Sequence, residues 1–62
     1  MLRNALTQLP YEQREVLLLR SHSDMRFAAI AAAQGVSINT VQGRYRYAVE
    51  KLRSLLASEA QV

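Results

Sequence analysis

Ala31 stands four positions ahead of Gly35, and Gly35 is followed by Val36-Ser37-Ile38 with Thr40 and Val41 close behind. That spacing constrains the chain more than any other feature. Two helices that cross steeply need a small residue where their backbones approach, which Ala31 supplies. They also need a corner residue that tolerates positive φ, which Gly35 supplies. Ser37 is suited to accept a hydrogen bond from a free amide of the next turn, and Val36 and Val41 flank it at the spacing of a hydrophobic staple. The pattern predicts a helix-turn-helix whose second helix begins at Ile38.

From Ile38 apolar residues recur at Val41, Tyr45, Ala48, Leu52 and Leu55 in alternating steps of three and four, and Val49 and Leu56 widen the stripe. One face of this helix is therefore expected to be buried. At about 100° per residue the opposite face collects Asn39, Gln42, Gly43, Arg46, Glu50 and Arg53, with Thr40, Arg44, Tyr47 and Lys51 along one flank. Such a face offers hydrogen-bond donors, positive charge and one bare stretch of backbone.

The rest of the chain reads as helices that support this one. Leu2, Ala5, Leu6 and Leu9 are spaced as one apolar face, which Pro10 punctuates; proline suits the first turn of a following helix. Tyr11 to about Ser21 is that helix, with Glu12 and Glu15 near its positive dipole end and Arg20 near its carbonyl end. Ser21-His22-Ser23-Asp24 reads as a loop, in which Ser23 or Asp24 caps a third helix running from Met25 to Gln34 and anchored by Phe27 and Ile30. After Leu56 the tail from Ala57 to Val62 is expected to fray. There is no β signal, no repeat and no low-complexity run.

With 62 residues the chain is one small domain, which buries about 60% of the surface that its unfolded form exposes. It has no cysteine, so disulfide staples and thiolate metal sites are excluded, and a reducing cytoplasm is compatible. No stretch approaches the roughly 20 apolar residues of a membrane span, and a signal-peptide core is lacking; the expectation is a soluble protein with no membrane partner.

Catalytic readings fail on their parts. No nucleophile is paired with a base, no glycine loop cradles phosphate, and dipole capping explains Glu12 and Glu15. His22 has no second ligand nearby. No catalytic residue, metal or cofactor is expected.

A formal net charge of +3 favours an anionic partner, and its placement beside the turn points to double-stranded DNA. Arg44 and Arg46 are the leading contacts. Gln42 and Thr40 supply neutral hydrogen bonding, Gly43 permits close approach of backbone, and Tyr47 points outward toward a thymine methyl or a phosphate. Tyr45, within the stripe, belongs to the core.

Leu9-Pro10 with the run Gln13 to Arg20, then Phe27 to Ala31 with Gly35-Val36-Ser37, then Thr40 to Arg44 with Ala48 and Leu52, resemble the C-terminal promoter-binding domain of bacterial sigma factors, the extracytoplasmic-function type most of all. The resemblance runs from about Ala5 to Leu56. It implies an all-α, four-helix domain, winged-helix-like but without the wing, filling residues 1–62 as the C-terminal part of a longer sigma factor. It also implies major-groove recognition of the upstream, minus-thirty-five promoter element, docking on the β flap of RNA polymerase, and in many cases cover by an anti-sigma protein. The family's contact positions fall on Thr40, Gln42, Gly43, Arg44, Arg46 and Tyr47.

This chain departs from the family where Gln42 replaces a lysine or arginine, where Gly43 replaces a serine, and where Ala29 and Arg26 replace an acid and a capping serine. The last change suggests that the third helix starts earlier, at Ser23 or Asp24. With Ala28, Ala29, Ala31, Ala32 and Ala33 all small, part of the outer face of that helix is bare, which helix propensity alone explains or which marks a protein contact. Two other readings stand beside the first. One is the DNA-binding effector domain of a response regulator or quorum-type activator, although such domains usually carry histidine where Arg44 stands. The other is a protein-interaction module that uses the same scaffold to bind polymerase, an anti-sigma factor or its own copy.

Overall fold

The computed structural model describes residues 2–60, with side chains from 4 to 58. Four helices follow one another: α1 Leu2–Thr7, α2 Tyr11–His22, α3 Phe27–Gln34 and α4 Ile38–Ala60. Among the described residues no helix is long and apolar enough to cross a membrane. α4 is the spine against which α1, α2 and α3 all pack. Its 23 residues, at about 1.5 Å each, account for most of the 40 Å long axis of the molecule.

The core forms in two connected layers. Val16 of α2, Ile30 and Ala31 of α3 and Val41 of α4 are buried together, with Leu19, Met25, Phe27 and Val36 packed around them. Leu9, Leu17 and Ala48 form the second layer, with Leu6, Val49 and Leu52 at its edge. Tyr45 packs against both, and its ring meets Phe27 edge to face at 5.3 Å between centroids. Of the predicted stripe of α4, Val41 and Ala48 are buried, Tyr45, Val49 and Leu52 pack half-buried against the core, and Leu55 and Leu56 are half-buried outside both layers. Ile38 is 43% exposed, because the first residue of the helix precedes the turn that reaches the core, and the buried stripe begins at Val41.

The turn is built as its sequence predicts. Gly35 sits at φ 69°, ψ 33°, in the left-handed region. Its amide donates to the Ala32 carbonyl at 3.3 Å, and the Val36 amide donates to the Ala31 carbonyl at 3.1 Å, which closes α3 in a Schellman motif. Ser37 then caps α4: its Oγ accepts the Thr40 amide at 3.1 Å, and the Ser37 and Thr40 hydroxyls share a further bond of 3.0 Å. An added Cβ at Gly35 would meet nothing within 4 Å, so only backbone conformation penalises substitution there. Gly35→Ala is expected to destabilise the domain by about 1–2 kcal/mol, read from urea unfolding.

α2 starts at Tyr11 as expected, with Pro10 as its N-cap; the Pro10 carbonyl accepts the Arg14 amide at 2.9 Å, a role that needs no N–H of its own. Two boundaries differ from expectation. α3 starts at Phe27, with Arg26 at its cap and no side-chain capping bond, rather than at Met25 or earlier. Ser23 and Asp24 instead close α2. Asp24 takes a positive φ of 54° and its carboxylate pairs with Arg20 at 3.2 Å, while the Ser23 and Met25 amides both return to the Leu19 carbonyl. Residues that turn the chain out of one helix in this way are not in the extended conformation that an N-cap of the next requires. Last, α4 continues to Ala60, since Ala57, Ser58, Glu59 and Ala60 contain no breaker; the expectation for Gln61 and Val62 lies outside the described residues, as does that for the side chain of Leu2.

Candidate nucleic-acid interface

The first turns of α4 carry the residues that sequence reasoning singles out. Asn39, Thr40, Gln42, Arg46 and Tyr47 are exposed, Tyr47 to 46%, whereas Gly43 and Arg44 are half-buried. The helical angle orders them. With the buried stripe of Val41, Tyr45 and Ala48 on one side, Gly43 lies nearly opposite it, and Arg44 and Arg46 fall on the two rims, about 160° apart. An added Cβ at Gly43 would meet nothing within 4 Å, so the glycine leaves a bare strip of backbone between two cationic edges.

The two rims have different surroundings. Arg46, with Gln42, Glu50 and Arg53, borders an open groove of about 510 Å³ whose apolar floor is Phe27, Tyr45 and Val49. Arg53 thus lies beside Arg46, and Glu50 supplies a counter-charge there.

Arg44 turns toward the other helices. One guanidinium N–H donates to Gln34 Oε1 at 2.8 Å. Gln34 Nε2 in turn donates to Glu15 Oε1 at 2.9 Å and to the Glu12 carbonyl at 3.3 Å. The Tyr11 hydroxyl donates to Glu15 Oε2 at 2.8 Å. A polar chain therefore runs from the rim of α4 through the end of α3 to the start of α2. Sequence reasoning assigned Glu15 to the helix dipole alone and gave Gln34 and Tyr11 no role. The one available signal is that Gln34 is the only polar residue in Phe27–Gln34.

This chain of bonds has a pH consequence. The hydrogen bonds from Gln34 and, second, from Tyr11 hold the Glu15 carboxyl below its ordinary value of 4.5, against a smaller opposing effect of burial. The same bond, then the charge of Glu15, raises the Tyr11 hydroxyl above 10.0. A carboxyl with a lowered pKa in the folded state contributes stability above the unfolded value and loses it as pH falls through the folded value. Stability is therefore expected to fall as the pH drops through the ordinary carboxylate range and below it, and this fall to flatten in Glu15→Gln, measured as melting temperature against pH.

Among the described residues no group of three or more histidine, aspartate or glutamate side chains is placed to hold a metal. His22 ends α2 in solvent. The alanine-rich face of α3 is real for Ala28, Ala29, Ala32 and Ala33, which are exposed, while Ala31 belongs to the core.

Comparison with known proteins adds two findings. The family described as "Sigma-70, region 4" matches residues 1–52. The curated RNA polymerase sigma factor SigV of Bacillus subtilis (strain 168) is 34% identical over 58 residues, which is 94% of this chain and 35% of that relative. The chain spans about a third of the length of this relative. No solved structure matches it.

Proposed function

The chain belongs to the sigma-70 region 4 family, and from that premise we propose that it recognises the upstream, minus-thirty-five element of promoters by laying the first turns of α4 in the major groove. The observation that carries this reading is the arrangement of Arg44 and Arg46 on opposite rims of a helix face whose centre is the bare backbone of Gly43. A major groove is about 12 Å wide and admits one helix, with phosphates along both edges. Cations on both rims match those edges, and a glycine between them permits close approach. Gln42 offers an amide able to pair with an adenine edge in bidentate fashion, Thr40 a hydroxyl already oriented by Ser37, and Tyr47 an aromatic surface for a thymine methyl.

The relative's description as an RNA polymerase sigma factor supports polymerase core as the second partner; docking through its β flap and action in the cytoplasm are part of the same proposal. An anti-sigma protein that covers this domain fits the exposed alanine face of α3. The role is binding, not catalysis. Family membership favours this reading over that of a response-regulator effector domain.

Selection from a randomised duplex pool, followed by fluorescence anisotropy, tests the proposal. Enrichment of one sequence is expected, with micromolar or weaker affinity at physiological salt and a log-log salt slope of about 0.9 per neutralised phosphate. A pool left without enrichment, bound with no salt dependence, would contradict it.

Gly43→Ala separates the two roles of that glycine. Glycine inside a helix costs about 1 kcal/mol relative to alanine, and the added Cβ has open space, so the variant is expected to melt about 4–8 °C higher. Its affinity for the selected duplex is expected to fall, because the methyl group enters the strip that faces the sugar-phosphate. A gain in both stability and affinity would argue against close approach at this position.

A further inference from the structure

We infer that Gln34 is a positioning residue for DNA binding: its amide holds the Arg44 guanidinium on the rim of α4 and separates it from the Glu15 carboxylate. The inference rests on the proposed DNA-binding role of α4. Among the described residues the bond from Arg44 to Gln34 Oε1, at 2.8 Å, is the one side-chain hydrogen bond that joins α4 to another helix.

The chemistry of the site dictates which way the amide faces. Its oxygen meets the guanidinium, and its nitrogen meets the Glu15 carboxylate at 2.9 Å and the Glu12 carbonyl at 3.3 Å. The reverse orientation would set donor against donor and acceptor against acceptor. Only a neutral group with one acceptor end and one donor end satisfies both neighbours. A carboxylate at this position would face Glu15 with like charge and neutralise Arg44, and a side chain shorter by one methylene would retract from the partners on α2 and α4.

Gln34 is also the last residue of α3, immediately before Gly35, so the bond spans the turn itself and links the two helices of the motif at the point where their angle is set. A guanidinium carries five N–H donors. One bond to Gln34 leaves the others for phosphate or base. Holding a long side chain in place before the duplex arrives lowers the ordering cost at binding. The bond therefore prepares Arg44 without consuming it.

The test uses the full 62-residue chain and the selected duplex, with Gln34→Met, Gln34→Glu, Arg44→Ala and the double variant Gln34→Met/Arg44→Ala. Gln34→Met is expected to weaken binding about three- to ten-fold with the salt slope retained. It should add no further loss in the Arg44→Ala background. Gln34→Glu, of the same size, is expected to lower the salt slope by about 0.9, because its carboxylate pairs with Arg44 in place of a phosphate. In the free protein, ¹⁵N relaxation of Arg44 Nε should report a more mobile guanidinium in Gln34→Met than in the parent chain, while the amides of α4 stay unchanged.

Parental or tighter binding by Gln34→Met, alongside weakened binding by Arg44→Ala, would overturn the inference and leave the DNA-binding reading intact. A loss in Gln34→Met that persists in full without Arg44 would also overturn it, since that loss would be a general weakening of the turn. Unchanged binding by Arg44→Ala would remove the inference together with the groove contact on which it rests.

Discussion

The double variant Arg44→Ala/Arg46→Ala is expected to lose nearly all affinity for the selected duplex while keeping its fold. An arginine that contacts base or phosphate contributes about 1–3 kcal/mol to such a complex. The two side chains share no partner: Arg44 bonds Gln34, and Arg46 borders the groove floored by Phe27 and Tyr45. Their losses should therefore add. If both rims meet phosphates, the log-log salt slope should fall by about 1.8, twice the value for one neutralised phosphate. Neither guanidinium is part of the apolar core, so far-ultraviolet circular dichroism should be unchanged. Loss of affinity without loss of salt slope would assign the two arginines to base edges rather than to phosphates.

The second large effect concerns the core. Ile30 is completely buried between α2 and α4, and its replacement by alanine is expected to cost about 2–5 kcal/mol. A 62-residue domain has a total stability of only about 3–9 kcal/mol. Ile30→Ala should therefore leave a substantial unfolded population at 37 °C, read as a broadened, lowered thermal transition. Phe27 and Tyr45, which pack against the same layer, would lose part of their support, and the groove beside Arg46 would lose its floor. Ala32, two residues on and exposed on the opposite side of α3, offers no such contact to the core, and its replacement by serine should change the melting temperature little.

How much of this was legible in the sequence varies by position, for physical reasons. The corner from Ala31 to Val41 was fully legible, because each residue there meets a local requirement: small at the crossing, left-handed at the turn, capping at the helix start. The buried stripe of α4 was legible from its period. The start of α3 was not. Ser23 and Asp24 have side chains suited to an N-cap, and nothing local distinguishes that use from closing the previous helix; the decision falls to Arg20, which reaches both Asp24 and the Met25 carbonyl. The bonds among Tyr11, Glu15, Gln34 and Arg44 were illegible for a related reason. Gln34 lies 19 residues from Glu15 and 10 from Arg44, and no periodicity connects side chains that only the tertiary fold brings together.

The proposed contact positions on α4 follow a middle course. Their angular placement came from the 3.6-residue period, but the difference between an Arg46 standing in solvent and an Arg44 tied across the turn came only with the neighbouring helices in place. That difference makes Arg44 the more ordered of the two cations and Arg46 the more adaptable.

Amide chemical-shift mapping of the ¹⁵N-labelled chain, titrated with the selected duplex, tests the central claim most directly. The account predicts that the largest perturbations gather on residues 37–47, with the Gly43 amide among them, and that the exposed alanines of α3 stay unmoved. Perturbations concentrated on α1 or on the outer face of α3, with Gly43 and the Arg44 side chain undisturbed, would contradict it.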